Sequence, residues 1–148
     1  MFLKTVVTPA GRTTFVFDAN ALPVATIDPL GRRTTIVRNT GGLPVASINA
    51  LGYRSTIILD TGGRPVAQVN PLGARTTTVY NSDGLAIATI NPLSKRTTHT
   101  YALGQRVSTK NPVGAVTTVI YDLNNRRRAE IDALGNRSSF IYTACAAP

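Results

Sequence analysis

The stretch from Asn70 to Ile90, NPLGARTTTVYNSDGLAIATI, is one copy of a pattern that fills the chain. Turn glycines fall at Gly11, Gly31, Gly52, Gly73, Gly114 and Gly135, with Ser94 replacing one, at steps of 20 or 21 residues. A fixed period of this size means small modules that bury surface only against their neighbours. Each unit opens with DPLG at 28, NALG at 49, NPLG at 70, NPLS at 91, NPVG at 111 or DALG at 132. Asp or Asn first, Pro second and Gly fourth suits a type I β-turn: the acid or amide bonds back, Pro presets φ, and Gly accepts positive φ. In a hairpin, such a turn followed by a left-handed residue makes a G1 bulge.

A β-branched strand follows each turn: TTFVF (13–17), TTIVR (34–38), STIIL (55–59), TTTVY (76–80), TTHTY (97–101), TTVIY (117–121) and SSFIY (138–142). A second turn comes next, such as NTGG (39–42), DTGG (60–63) or NSDG (81–84), and then a second strand such as LPVASI (43–48) or LAIATI (85–90). No apolar run has helical spacing of useful length. The expected fold is all-β: a repetitive antiparallel β-hairpin strip, β-solenoid-like, with about fourteen short strands in seven units of 20–21 residues and one domain over 1–148.

An arginine column favours hairpins over a parallel stack. Arg12, Arg33, Arg54, Arg75, Arg96 and Arg137 each precede a Thr or Ser pair. A parallel solenoid would set these charges about 4.8 Å apart with no acid between them, whereas hairpins give about 9.5 Å and an intervening strand. Alternation puts Thr34, Ile36 and Arg38 on one side and Thr35 and Val37 on the other, so neither face reads as cleanly polar. Both faces call for partial cover, from a second layer, a closed tube or another molecule.

Catalytic chemistry finds no foothold, and no enzyme, metal or cofactor is expected. His99 is the sole histidine, in a column otherwise held by Phe15, Ile36, Ile57, Thr78, Val119 and Phe140, with no ligand or acid at useful spacing. Of the seven acids, all but Glu130 sit at turn positions that backbone bonding explains. Sixteen Lys and Arg give a net charge of +9, and a repeat that carries one Arg multiplies it with each copy. Tyr80, Tyr101 and Tyr121 with Arg75 and Arg96 form a candidate ligand surface for an acidic glycan, weighed against an aromatic ladder that stabilises the sheet. Nucleic acid is not expected, since alternation sends Arg126, Arg127 and Arg128 to opposite faces. Nothing resembles a signal peptide, and no apolar run reaches the ~18 residues of a transmembrane helix.

The string YD-x-x-N-x-R at Tyr121 to Arg127, with variants Phe17-Asp18, Leu59-Asp60 and Tyr80-Asn81, resembles the YD repeat. Together with GRPVAQVNPLGARTTTVY (63–80) it is similar to the Rhs repeat of bacterial Rhs proteins, Tc-toxin shells and teneurins. The resemblance covers nearly the whole chain but only the repeat region. It implies a spiralling strip of hairpins in the wall of a hollow shell, often around a toxic cargo, outside the cell or at its surface. Tyr101-Ala102 and Tyr142-Thr143 lose the acid, and Arg38-Asn39 loses both letters. Nothing matches the family's terminal core segment, so autoproteolysis is not carried over.

The two ends carry the sharpest expectation. Phe2 to Val7 aligns with the second strand of a unit and 138–142 with a first strand, so the chain starts with one half of a hairpin and ends with the other. Phe2, Leu3, Val6, Phe140, Ile141, Tyr142 and Cys145, the only cysteine, are the expected assembly interface. Unpaired edges supply hydrogen bonds, and a head-to-tail contact that does not close makes a filament with the chain itself as partner. The alternatives are a wall segment of a larger Rhs-type shell and a carbohydrate-binding module.

Overall fold

A computed structural model describes residues 2–142, and Cys145 lies outside them. These residues form strands and turns with no helix. The strands are β1 (Phe2–Thr8), β2 (Gly11–Phe17), β3 (Pro23–Ile27), β4 (Arg33–Arg38), β5 (Pro44–Ile48), β6 (Arg54–Leu59) and β7 (Pro65–Val69). They continue with β8 (Arg75–Tyr80), β9 (Ala86–Ile90), β10 (Arg96–Ala102), β11 (Gln105–Lys110), β12 (Val116–Tyr121), β13 (Arg127–Ile131) and β14 (Arg137–Ser139). All fourteen lie in one sheet in sequence order, an open antiparallel hairpin strip as expected. Contacts group the chain into two compact units, the first ending at Thr77 and the second starting at Thr78.

The turns explain the period. At Asp60 the backbone N–H bonds the Arg64 carbonyl, and the Asp60 carbonyl takes the Gly63 N–H. The Arg64 N–H goes to Asp60 Oδ1 at 2.9 Å. This is the expected type I turn with a G1 bulge, completed by a side chain, and Gly63 sits at φ 80° as that bulge requires. The same bond, 2.8–3.0 Å from the N–H four residues on, recurs at Asp18, Asp28, Asn39, Asn49, Asn70, Asn81, Asn91, Asn111, Asp122 and Asp132. Only one oxygen is needed, so Asp and Asn are interchangeable there. Three of the Asp positions add a guanidinium to the second oxygen: Arg32 to Asp28, Arg64 to Asp60 and Arg126 to Asp122.

The short steps are the exceptions to this chemistry. Where Ala102 stands in place of the acid, the hairpin closes through a two-residue loop, with Ala102 opposite Gln105 and Leu103 and Gly104 at φ 50° and 77°. Positive φ at both loop residues marks a type I′ turn, which saves one residue. Thr8 likewise faces Gly11 across a two-residue loop.

Register fixes the two faces. In unit 1, Val37 faces Ala46, and Ala46 faces Thr56 on the next strand. Ile58 then faces Ala67, and Ala67 faces Thr77. Each pair of strands therefore advances the register by two residues, about 6.6 Å for about 9.6 Å of width, a slant near 35° of the kind that barrels use. Directly opposed residues share a side, so one face carries Arg33, Thr35, Val37, Ala46 and Ile48 and the other Thr34, Ile36, Val45 and Ser47. The buried apolar residues are Val16, Ala25, Ala46, Ala67, Ala88 and Ala129. Each alanine lies low between larger neighbours, as Ala46 does between Val37, Thr56 and Ile48. Among the described residues no large side chain is fully buried. Stability thus rests on the backbone ladder, the turns and cross-strand pairs.

Two features escape sequence alternation. Register shifts between Val16 and Phe17, Val37 and Arg38, Ile58 and Leu59, Thr100 and Tyr101, and Ile120 and Tyr121 place a bulge in the following strand, with Val45 the extra residue in β5. The last strand is also shorter than expected, Arg137–Ser139 and not 138–142. In β4, β6 and β12 the final residues pair with the strand that follows, and among the described residues β14 has none.

Two measurements follow. Arg64, first by its backbone N–H and then by its guanidinium, holds the Asp60 carboxyl below the usual range, and Asn136 does the same for Asp132, side-chain amide first. A depressed folded pKa stabilises above the unfolded value of about 3.9, and the contribution is lost as pH falls through the folded value. Melting temperature is therefore expected to drop below about pH 4, and Asp60→Asn with Asp132→Asn to flatten that drop by lowering the neutral melting temperature slightly, since the charge that Arg64 and Asn136 hold is removed. Leu103 is wholly exposed at φ 50°. Leu103→Asn should raise stability by about 1 kcal/mol in denaturant unfolding, since Asn accepts positive φ.

Candidate functional site

Among the described residues the candidate sites are the two faces, the two rims and the edges. In unit 1 the alanine face carries Arg12, Arg33, Arg54 and Arg75 and no carboxylate. In unit 2 the same face carries Arg96, Lys110 and Arg137, again without an acid. An aliphatic residue stands opposite each arginine: Val7 by Arg12, Ile27 by Arg33, Ile48 by Arg54, Val69 by Arg75, Ile90 by Arg96 and Ile131 by Arg137. Arg33, Arg54 and Arg75 each lean on the threonine two residues on, Nε to Oγ1 at 3.3 Å. These threonines hold the guanidinium stems along the sheet and leave their outer N–H groups to solvent. The face is a ladder of cations separated by aliphatic and hydroxyl groups.

The tyrosine column lies on the opposite side. Tyr101 and Arg96 share β10 and are five residues apart, so alternation points them away from each other, and Tyr80 and Arg75 stand in the same relation on β8. The structure therefore does not bring the candidate ligand residues Tyr80, Tyr101, Tyr121, Arg75 and Arg96 into one surface. The phenols are engaged elsewhere. Tyr101 donates to the Ala86 carbonyl at 3.0 Å, Tyr121 to Arg106 at 3.3 Å and Tyr142 to Arg127 at 2.8 Å, each fifteen residues back. At the equivalent place Arg38 donates to the Pro23 carbonyl at 3.1 Å. The acceptors Pro23, Arg106 and Arg127 lie beside the bulges, opposite Phe17, Tyr101 and Tyr121. Beyond Ala25 and Thr35 the backbone ladder between β3 and β4 lapses, and the long polar side chain closes the gap. The Tyr of the YD motif is a strut between hairpins in these three units. Sequence offers one signal for this role, the return of the column at the residue just before each second turn.

His99 offers no centre. Its Nδ1 lies 3.2 Å from Thr109 Oγ1, and partial burial together with the Arg106 charge pushes its pKa below the ordinary imidazole value. Val119, Glu130 and Ser138 share its side of the sheet, with Glu130 three strands away, beyond Thr109 and Thr117. Among the described residues no three metal-binding side chains cluster, and no helix is long and apolar enough to cross a membrane.

The expected interface residues lie at the strip's two described edges. Phe2 stacks on Phe17 across β1 and β2, with ring centroids 5.0 Å apart, and Phe2, Leu3 and Val6 are exposed. β1 pairs with β2 alone. At the other edge Phe140, Ile141 and Tyr142 are exposed, and the Phe140 N–H reaches back to the Arg128 carbonyl at 2.9 Å. Arg126 lies over the Tyr142 ring, 4.4 Å from its centroid.

No established family profile matches the chain, and no curated protein matches it in sequence. Solved structures do resemble it. The Photorhabdus luminescens Tc holotoxin pore matches with a TM-score of 0.68 at 15% identity, over 82% of this chain and 7% of that one. The crystal structure of TcdB2-TccC3-Cdc42 matches at 0.62 and 13% identity, over 86% of this chain and 9% of that one. The chain thus spans under a tenth of either toxin chain, and at these identities the likeness is one of fold: a hairpin strip of the kind built into Tc toxin components, as the Rhs-like repeat implies.

Proposed function

We propose that the chain is a non-catalytic scaffold, a segment of wall in a larger Rhs-type shell that encloses or displays a toxin outside the cell. One observation carries this: the sheet is a single layer whose buried residues are alanines and one valine. Such a layer has no core of its own to complete a globule, but it continues without change of register wherever another hairpin is added. Its natural use is as a repeat domain within a longer wall, and the fold likeness to Tc components supports this use.

The edges favour a second reading, head-to-tail filaments. β1 exposes seven residues along one side, and 140–142 lack a following strand among the described residues, so a second copy can supply the missing ladder. The cation ladder favours an acidic glycan as a ligand of the alanine face, since it meets no carboxylate there.

Hydrogen exchange and sedimentation of the purified chain separate the two readings. The wall reading expects a small species in which the outward amides of β1 and those of 141–142 exchange fast and those of β4 to β12 slowly. Elongated polymers with both edges protected would favour the filament, and edges protected within a monomer would sink both. For the glycan, Arg33→Ala with Arg54→Ala and Arg75→Ala should abolish salt-dependent retention on an acidic polysaccharide column. Tyr121→Phe should leave retention unchanged and cost only about 1 kcal/mol of stability, the worth of one hydrogen bond.

A further inference from the structure

The cation row of unit 1 is interrupted in a regular way. Arg33, Arg54 and Arg75 are exposed, and each is pinned to the threonine two residues on, so their spacing follows the sheet and not the reach of a free side chain. Successive arginines stand two strands and two residues apart, roughly 12 Å. The strand between each pair adds one half-buried aliphatic residue to the row. Ile48 faces Arg54 on one side and Thr35, the threonine that holds Arg33, on the other. Val69 stands in the same relation to Arg75 and Thr56, and Ile27 to Arg33 and Thr14. A line across the strands therefore meets charge, apolar surface, charge and apolar surface again. No carboxylate on this face of unit 1 answers the arginines.

We propose that this row binds a linear polysaccharide in which an acidic sugar alternates with a neutral one, the polymer running across the strands of unit 1. The proposal rests on the reading of an acidic glycan on the alanine face and states which kind of glycan. Charge spacing separates the polyanions. One nucleic-acid strand carries a phosphate every ~3.4 Å, roughly three to four for each arginine. An extended acidic peptide turns alternate side chains to one side, at about 6.8 Å, still nearly twice as dense as the row. A glycan acidic at every sugar sets a carboxylate above Ile48 and Val69, where it loses water and gains no counter-charge. With every second sugar neutral, two rings span one step of the row. Each carboxylate then meets a guanidinium, and the neutral ring lays its C–H face on the aliphatic side chain.

Binding of the full chain to three probes tests this: hyaluronan fragments, in which a uronate alternates with a neutral N-acetylated sugar, polygalacturonate of equal length, acidic throughout, and single-stranded DNA. At physiological salt hyaluronan should bind about tenfold more tightly than polygalacturonate, although it carries half the charge. Arg33→Ala with Arg54→Ala and Arg75→Ala should weaken hyaluronan binding about thirtyfold, the sum of three exposed ion pairs. Ile27→Thr with Ile48→Thr and Val69→Thr should erase the preference for hyaluronan, with circular dichroism confirming the fold, since Thr keeps the β-branch that strands favour. The unaltered chain gives a second reading: salt near 1 M, where charges are screened beyond ~3 Å, should weaken polygalacturonate binding more than hyaluronan binding. Equal or tighter binding of polygalacturonate or DNA, a parallel loss of both glycans in salt, or a preference that survives the threonine changes in a folded chain overturns the proposal. If polygalacturonate binds as tightly as hyaluronan and is lost with the arginines, the alternation falls and the acidic-glycan reading stands. Binding to neither glycan ends both.

Discussion

One hydrogen bond organises this molecule: a backbone N–H four residues past an Asp or Asn, taken by that residue's side-chain oxygen. A hairpin with a G1 bulge leaves that N–H facing an acceptor already in use by the turn glycine. The side chain supplies the missing acceptor locally, so each hairpin closes on residues within a five-residue span. Everything larger follows from repetition of this closure. Where the side chain is absent, at Ala102, the loop shortens and Leu103 is driven to positive φ.

Closure by turns permits a sheet with no second layer. A globular domain gathers large apolar side chains into one interior, whereas here the buried positions are filled by alanine, small enough to be covered by its neighbours on the same face. The strip compensates along its length. Leucines lap over the next glycine on one rim, and tyrosine or arginine struts reach carbonyls left beside the bulges. These devices act between nearest neighbours, so the energetics are those of a one-dimensional array.

Fold and period were legible because they are written in local chemistry. DPLG and NPLG state their turn type outright, and β-branched runs between turns leave little choice but strands. The arginine spacing identified antiparallel pairing from repulsion alone, and the aliphatic residues opposite Arg33, Arg54 and Arg75 bear this out. The bulges were hidden, because an extra residue such as Val45 changes facing without changing composition. Hidden bulges also concealed the strut role of Tyr101 and Tyr121, whose acceptors exist only where the ladder lapses. Grouping Tyr101 with Arg96 failed for a simpler reason: an odd separation along one strand always faces two ways. The end of β14 depended on a neighbour that periodicity does not reveal.

The two-residue offset repeated from hairpin to hairpin in unit 1 has a bearing on how such chains change over generations. Because each module hands the next an identical register, gain or loss of one whole module returns the remaining strands to the partners they had, as Ala46 with Thr56 and Ala67 with Thr77 already illustrate. A cut longer or shorter by one residue would flip one face to the other, and by two would slide every later strand out of register. Unequal exchange between copies of the gene segment is therefore structurally tolerable only in whole modules, and the width of the strip is free to vary in quantised steps while its cross-section stays constant.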